Sequence, residues 1–79
     1  MDVRERLGVN VRRLREATGL SQEAFADDAG IHRTYISDVE RGKRNPTIAV
    51  VDKLAIALKV RTGSLLDDPA EVAAESAGA

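Results

Sequence analysis

At 79 residues the chain has room for one small domain, which buries only about 60% of the surface its unfolded chain would expose. A composition of 43% hydrophobic and 32% charged residues, with no cysteine and the single histidine His32, excludes disulfides and thiolate or multi-histidine metal sites, and offers no run of the roughly 18 apolar residues a membrane span needs. The net charge of -1 divides into +3 over residues 1–66 (12 Lys/Arg against 9 Asp/Glu) and -4 over residues 67–79 (0 against 4), so the overall acidity does not exclude a polyanionic partner.

The first predicted helix runs from Val3 to Ala17. Val3, Leu7, Val11 and Leu14 share one face, and Glu5, Arg12 and Glu16 lie opposite. Asp2 is placed to accept amide hydrogen bonds at its start, and Gly19 to take the left-handed conformation that ends it. Ser21 caps a second helix through Ala29 with Phe25 and Ala29 inward; Ala24 stands where a reciprocal cap needs Glu, so that cap is half-made. Gly30 permits a sharp turn, Ile31 plugs it, and a third helix spans Arg33 to Arg41. There Ile36 and Val39 point inward, while Thr34, Ser37, Asp38 and Arg41 line the outer side.

Gly42 stops the third helix, Asn45-Pro46 forces an extended turn, and Thr47 caps a fourth helix from Ile48 to about Lys59. Ile48, Val51, Leu54, Ala55 and Leu58 form its expected core stripe. Ile56 and Ala49 lie opposite and Val50 and Ala57 beside it, more apolar circumference than one small core uses. Thr62-Gly63-Ser64-Leu65-Leu66 reads as a final helical turn capped by Thr62 or Ser64. Asp67-Asp68-Pro69 is expected to end regular structure, leaving residues 67–79 as a frayed, acidic, Ala-rich tail behind a domain of residues 1–66. The expectation is an all-α, compact five-helix bundle.

Two short helices pivoting on Gly30, the second polar on one side and followed by Lys43 and Arg44, have the geometry of a unit that places side chains in the DNA major groove. The chain also resembles the lambda-repressor-like (XRE/Cro-type) helix-turn-helix family over roughly residues 4–66. The resemblance rests on Leu-Arg-Glu-Ala-Thr-Gly-Leu-Ser-Gln-Glu, Ala26, Gly30, Tyr-Ile-Ser and Glu40-Arg-Gly-Lys-Arg-Asn-Pro-Thr. Within the family, His-Arg-Thr-Tyr-Ile-Ser with Glu-Arg and Arg-Asn looks most like the controller proteins of restriction-modification systems, small dimeric regulators that activate and repress transcription.

The resemblance implies roles residue by residue. Arg33, Thr34, Ser37 and Asp38 match base-facing positions. Gln22, Tyr35, Arg41, Lys43, Arg44 and Asn45 match contacts to the DNA backbone or groove edge, and a helix N-terminus such as that at Gln22 suits phosphate on its own physics. Arg33 suits bidentate contact with guanine, whereas Asp38 can accept from a cytosine amino group or hold Arg41. Arg15 and Glu40 match a structural ion pair joining the first helix to the end of the third, and His32 reads as a turn residue.

One recognition helix reads few base pairs, so a homodimer on paired half-sites is expected, with Val50, Ile56, Ala57, Val60, Leu65 and Leu66 as its interface. The implied function is a sequence-specific DNA-binding transcriptional regulator with double-stranded operator DNA as partner. It needs no cofactor, metal, small-molecule ligand or membrane, and is not an enzyme. The apolar stretches lack the layout of a signal peptide, so a cytoplasmic location is expected. An antitoxin or a phage-like repressor is the alternative within this class, although the tail is short and poor in large apolar residues for an antitoxin. From a different class comes a protein-interaction module that uses the outer face of the fourth helix.

Overall fold

The computed structural model describes residues 1–70, and in it α1 (Val3–Ala17), α2 (Gln22–Ala29), α3 (Arg33–Glu40), α4 (Ile48–Leu58) and a 3-10 helix (Thr62–Leu66) follow in order. Among the described residues the expected five-helix count becomes four α-helices and one 3-10 helix. Five residues between Arg61 and Asp67 are too few for a regular α-helix, and their turns close tightly: Ser64 N–H donates to Arg61 C=O at 3.0 Å and Asp67 N–H to Ser64 C=O at 3.4 Å. Neither Thr62 nor Ser64 caps this turn. Its cap position is Arg61, without a side-chain bond, and the Thr62 hydroxyl donates instead to Asp52 Oδ1 at 2.8 Å.

The α-helices begin where short polar side chains satisfy the free amides of the first turn. At α1, Asp2 Oδ1 accepts from the amides of Arg4 at 2.9 Å and Glu5 at 3.0 Å. Glu5 Oε1 accepts in return from Asp2 N–H at 3.4 Å, making the cap reciprocal. At α2, Ser21 Oγ accepts from Ala24 N–H at 3.0 Å, and Ala24 has nothing with which to answer. Thr47 Oγ1 accepts from Val50 N–H at 3.2 Å to open α4. Between α2 and α3, Gly30 lies in the left-handed region at φ 67°, where a side chain would be strained.

α1 packs on α3, α4 and the 3-10 helix, and α2 on α3 and α4. Leu7, Val11, Phe25, Ala26, Ile36, Val39, Val51, Leu54, Ala55, Leu58 and Leu65 form the core they enclose. Of the expected core residues, Leu14 and Ala29 are partly buried against this core, and two others are exposed. Ile48 is 85% exposed because it is the first residue of α4, where the helix overhangs a cleft beside the 3-10 helix; Val3, the first residue of α1, is likewise 44% exposed. Helical backbone reappears at Pro69 and Ala70, with Asp68 Oδ1 accepting from Ala70 N–H at 2.8 Å. The rest of the expected tail, residues 71–79, lies outside the described residues.

Candidate nucleic-acid interface

The outer side of α3 carries the predicted readers. Arg33 and Thr34 are exposed in its first turn and Ser37 is half-exposed in the second. His32 precedes them as the helix cap residue, with no side-chain cap bond. Among the described residues, Arg33 and Lys43 enter no ion pair, so both cations face solvent unpaired. The opposite side of α3 is anchored by Ile36 and Val39, 0% and 1% exposed. One helix thus has a fixed face and a free one.

The angle of that helix is set by a buried polar network at its end. Glu40 Oε2 accepts from Arg15 Nε at 2.7 Å, and Oε1 accepts from Arg15 Nη2 at 3.0 Å. Arg15 Nη1 also donates to Leu20 C=O at 2.8 Å. The two side chains are only 11% and 3% exposed. Hydrogen bonding to Glu40 raises the Arg15 pKa further, so the guanidinium keeps its charge. A forked, two-bond pair of this kind fixes orientation as well as distance. Gln22 joins the network, donating from Nε2 to Glu40 Oε1 at 3.0 Å. Its side-chain amide therefore braces α2 against α3, and what it leaves toward the outside is the N-terminal turn of α2.

Asp38, Arg41, Arg44 and Tyr35 form a second, surface cluster. Arg41 Nη2 donates to Asp38 Oδ1 at 2.8 Å and Arg44 Nε to Oδ2 at 3.2 Å. The Arg44 guanidinium sits 4.9 Å from the centroid of the Tyr35 ring, within cation–π range. The arginines hold the Asp38 carboxyl below its ordinary pKa, Arg41 contributing most. Asn45 is exposed at the loop's end.

Of the residues expected at a dimer interface, Ile56 is 68% and Leu66 38% exposed. Val50, Ala57 and Val60 are half-buried against the core. Leu65 is fully buried and so supports this side of the molecule from beneath, without offering surface. A cleft of about 170 Å³ lies between Val3, Leu7, Pro46, Ile48, Val51 and Leu66.

Two positioning residues escaped the sequence reading. Gly8 lies where α1 crosses the end of α3: a Cβ there would stand 2.5 Å from Val39 C=O and 2.8 Å from Glu40 C=O. A glycine inside an otherwise regular helix was the available signal, since it weakens the helix unless close approach requires it. Asn10 is fully buried and its Nδ2 donates to Leu65 and Asp67 C=O, both at 2.9 Å. A polar residue on the flank of an apolar stripe marked it.

Comparison with known proteins agrees with this architecture. The helix-turn-helix family model HTH_3 matches residues 11–65. The chain is 47% identical over 66 residues to control protein C.SmaI of Serratia marcescens, covering 84% of this chain and 79% of that protein. The crystal structure of the restriction-modification controller protein C.AhdI from Aeromonas hydrophila superposes with a TM-score of 0.75 at 42% identity, over 78% of this chain and 94% of that one. The controller C.Esp1396I, solved as a tetramer on its 35 base-pair operator, gives a TM-score of 0.75 at 28% identity, over 82% of this chain and 86% of that one. Among the described residues no helix is long and apolar enough to cross a membrane. The chain belongs to the helix-turn-helix family.

Proposed function

We propose that the chain is a non-enzymatic, cytoplasmic transcriptional regulator of the restriction-modification controller type, binding operator DNA as a homodimer through a domain of residues 1–66. The observation that carries this reading is an α3 whose angle is locked by the buried Arg15–Glu40 pair while Arg33, Thr34 and Ser37 stay open to solvent on its far side. A preorganised helix of that polarity presents its first turns to base edges in the major groove. Arg33 takes guanine by a bidentate contact worth about 1–3 kcal/mol of discrimination. Thr34 and Ser37 reach neighbouring base edges. Lys43, Arg41, Arg44, Asn45, Tyr35 and the first turn of α2 at Gln22 hold the sugar-phosphate backbone, which fixes register without reading sequence.

α3 is only 8 residues long, and a single such helix covers too few base pairs to separate one site from a genome of competitors. Two copies on half-sites about 34 Å apart supply the missing specificity. Exposed Ile56 and Leu66, flanked by Val50, Ala57 and Val60, are the surface for that pairing, with Leu65 behind them. The controller relatives, one of them assembled on its operator, support this reading.

Selection of bound duplexes from a random pool tests it. The expected outcome is an enriched two-fold symmetric sequence with half-site centres one helical turn, or a small multiple of it, apart. A pool that stays random through successive rounds, with binding that ignores sequence, overturns it.

A further inference from the structure

We propose that Asp38 sets the contrast between specific and non-specific DNA by holding Arg41 and Arg44 against α3, an inference that rests on the DNA-binding reading above. Its two carboxylate oxygens are divided between the cations: Oδ1 takes Arg41 at 2.8 Å and Oδ2 takes Arg44 at 3.2 Å. Arg44 belongs to the loop after α3, yet its guanidinium is held from two sides, by Asp38 and by the Tyr35 ring at 4.9 Å. Tyr35 and Asp38 are one helical turn apart on the same side of α3. The loop cation is thereby tied to the helix that reads bases. The Asp38 side chain is 20% exposed, while Arg41 and Arg44 remain 58% and 47% exposed.

A base-reading role fits this geometry poorly. The carboxylate is only 20% exposed and each of its oxygens already holds a charged guanidinium donor, a stronger partner than the neutral amino group of cytosine. Each guanidinium carries five N–H donors, and Asp38 engages one on each, so both arginines keep donors for phosphate while held.

The same carboxylate acts differently on the two kinds of complex. Affinity for arbitrary duplex follows the positive charge brought to the phosphates, and Asp38 reduces the charge of this cluster from +2 to +1. Loose encounters therefore weaken by the full electrostatic effect. In the fitted complex the arginines arrive already ordered, so less side-chain entropy is lost on contact, and this offsets the lost charge. Asp38 lowers non-specific affinity more than specific affinity.

Fluorescence anisotropy on the selected operator and on a scrambled duplex, across a salt series, compares wild type with Asp38→Asn. Asp28→Asn, which removes the same charge from the exposed side of α2, controls for net charge, and thermal melting confirms that each variant is folded. Asp38→Asn is expected to tighten scrambled-duplex binding roughly 3- to 10-fold at about 100 mM salt, well beyond Asp28→Asn, while operator affinity moves less, so that the specificity ratio falls. In the DNA-free protein the Arg44 Nε–H is expected to exchange slowly in wild type and rapidly in Asp38→Asn by NMR. Equal effects of the two variants on both duplexes, or fast Arg44 exchange in wild type, overturn the inference. So does an operator-only loss in Asp38→Asn that traces to one C·G pair, which identifies Asp38 as a base reader. Wild type that binds neither duplex overturns the DNA-binding reading itself, and with it this inference, while slow Arg44 exchange in the same sample still reports the contact.

Discussion

Replacing Gly8 by alanine reverses the usual sign of that substitution. In an exposed helix interior alanine is favoured over glycine by about 1 kcal/mol. At Gly8 the new methyl meets Val39 C=O at 2.5 Å and Glu40 C=O at 2.8 Å, and both are backbone atoms that cannot rotate aside. An ordinary carbon–oxygen contact requires α1 and the end of α3 to separate by several tenths of an ångström. Inserting a carbon into a packed site of this kind costs about 1–3 kcal/mol, and with two backbone oxygens struck the upper end applies, leaving a net loss near 2 kcal/mol after the helical gain. For a domain this small that lowers Tm by roughly 8–16 °C. Melting followed by circular dichroism, at one protein concentration because association raises Tm, measures it. Operator affinity is expected to fall as well, since the displaced carbonyls belong to the recognition helix. A Gly8→Ala protein that melts higher than wild type refutes the close crossing of α1 and α3.

Glu40→Gln leaves the nearly buried Arg15 cation without its counter-charge, and breaking a buried pair from one side costs about 3–5 kcal/mol; chemical denaturation is expected to show a largely unfolded variant, with Arg15→Met/Glu40→Met less damaged than either single change. Asn10→Ala removes the donor shared by the Leu65 and Asp67 carbonyls, about 1–3 kcal/mol of unsatisfied buried polarity; hydrogen exchange is expected to speed up first in the 3-10 helix. Asp2 has its pKa lowered, foremost by the Glu5 amide. Its contribution is therefore complete above the ordinary carboxylate value of about 3.9 and is lost as pH falls through the lower native value. Asp2→Asn is expected to flatten the acid end of the stability–pH curve measured by urea midpoint.

Most element ends from residue 2 to residue 58 were legible because local chemistry marks them: Asp2, Ser21 and Thr47 start helices, and Gly19, Gly30 and Gly42 turn out of them with positive φ, whereas α3 starts at His32 without a side-chain cap and α4 ends on Lys59 at φ 60° with no glycine to announce it. The Arg15–Glu40 pair was legible through the family resemblance, and the outer side of α3 through its period of 3.6. What failed depends on neighbours in space. Ile48 has the spacing of a core residue, but its exposure is decided by how far α1 and the 3-10 helix reach along α4. The link from Asp38 to Arg44 spans six residues and a loop, a separation no helical period encodes.

Gly8, Arg15, Gln22 and Glu40 all act at the C-terminal end of α3. Gly8 lets α1 approach the Val39 and Glu40 carbonyls, Arg15 seizes Glu40 from the next turns of α1, and Gln22 ties the same carboxylate to the start of α2. At the N-terminal end, by contrast, His32 makes no side-chain cap bond and Arg33 extends into solvent. A recognition helix gripped at its far end and seated on Ile36 has its axis fixed by the scaffold, while the exposed side chains of its first turn, Arg33 and Thr34, keep the rotamer freedom to fit a base pair. A change at the gripped end is therefore expected to move all contacts together and weaken every sequence. A change at Arg33 alters preference at one position and leaves the rest of the operator profile intact, a distinction that selection on the two variants reads directly.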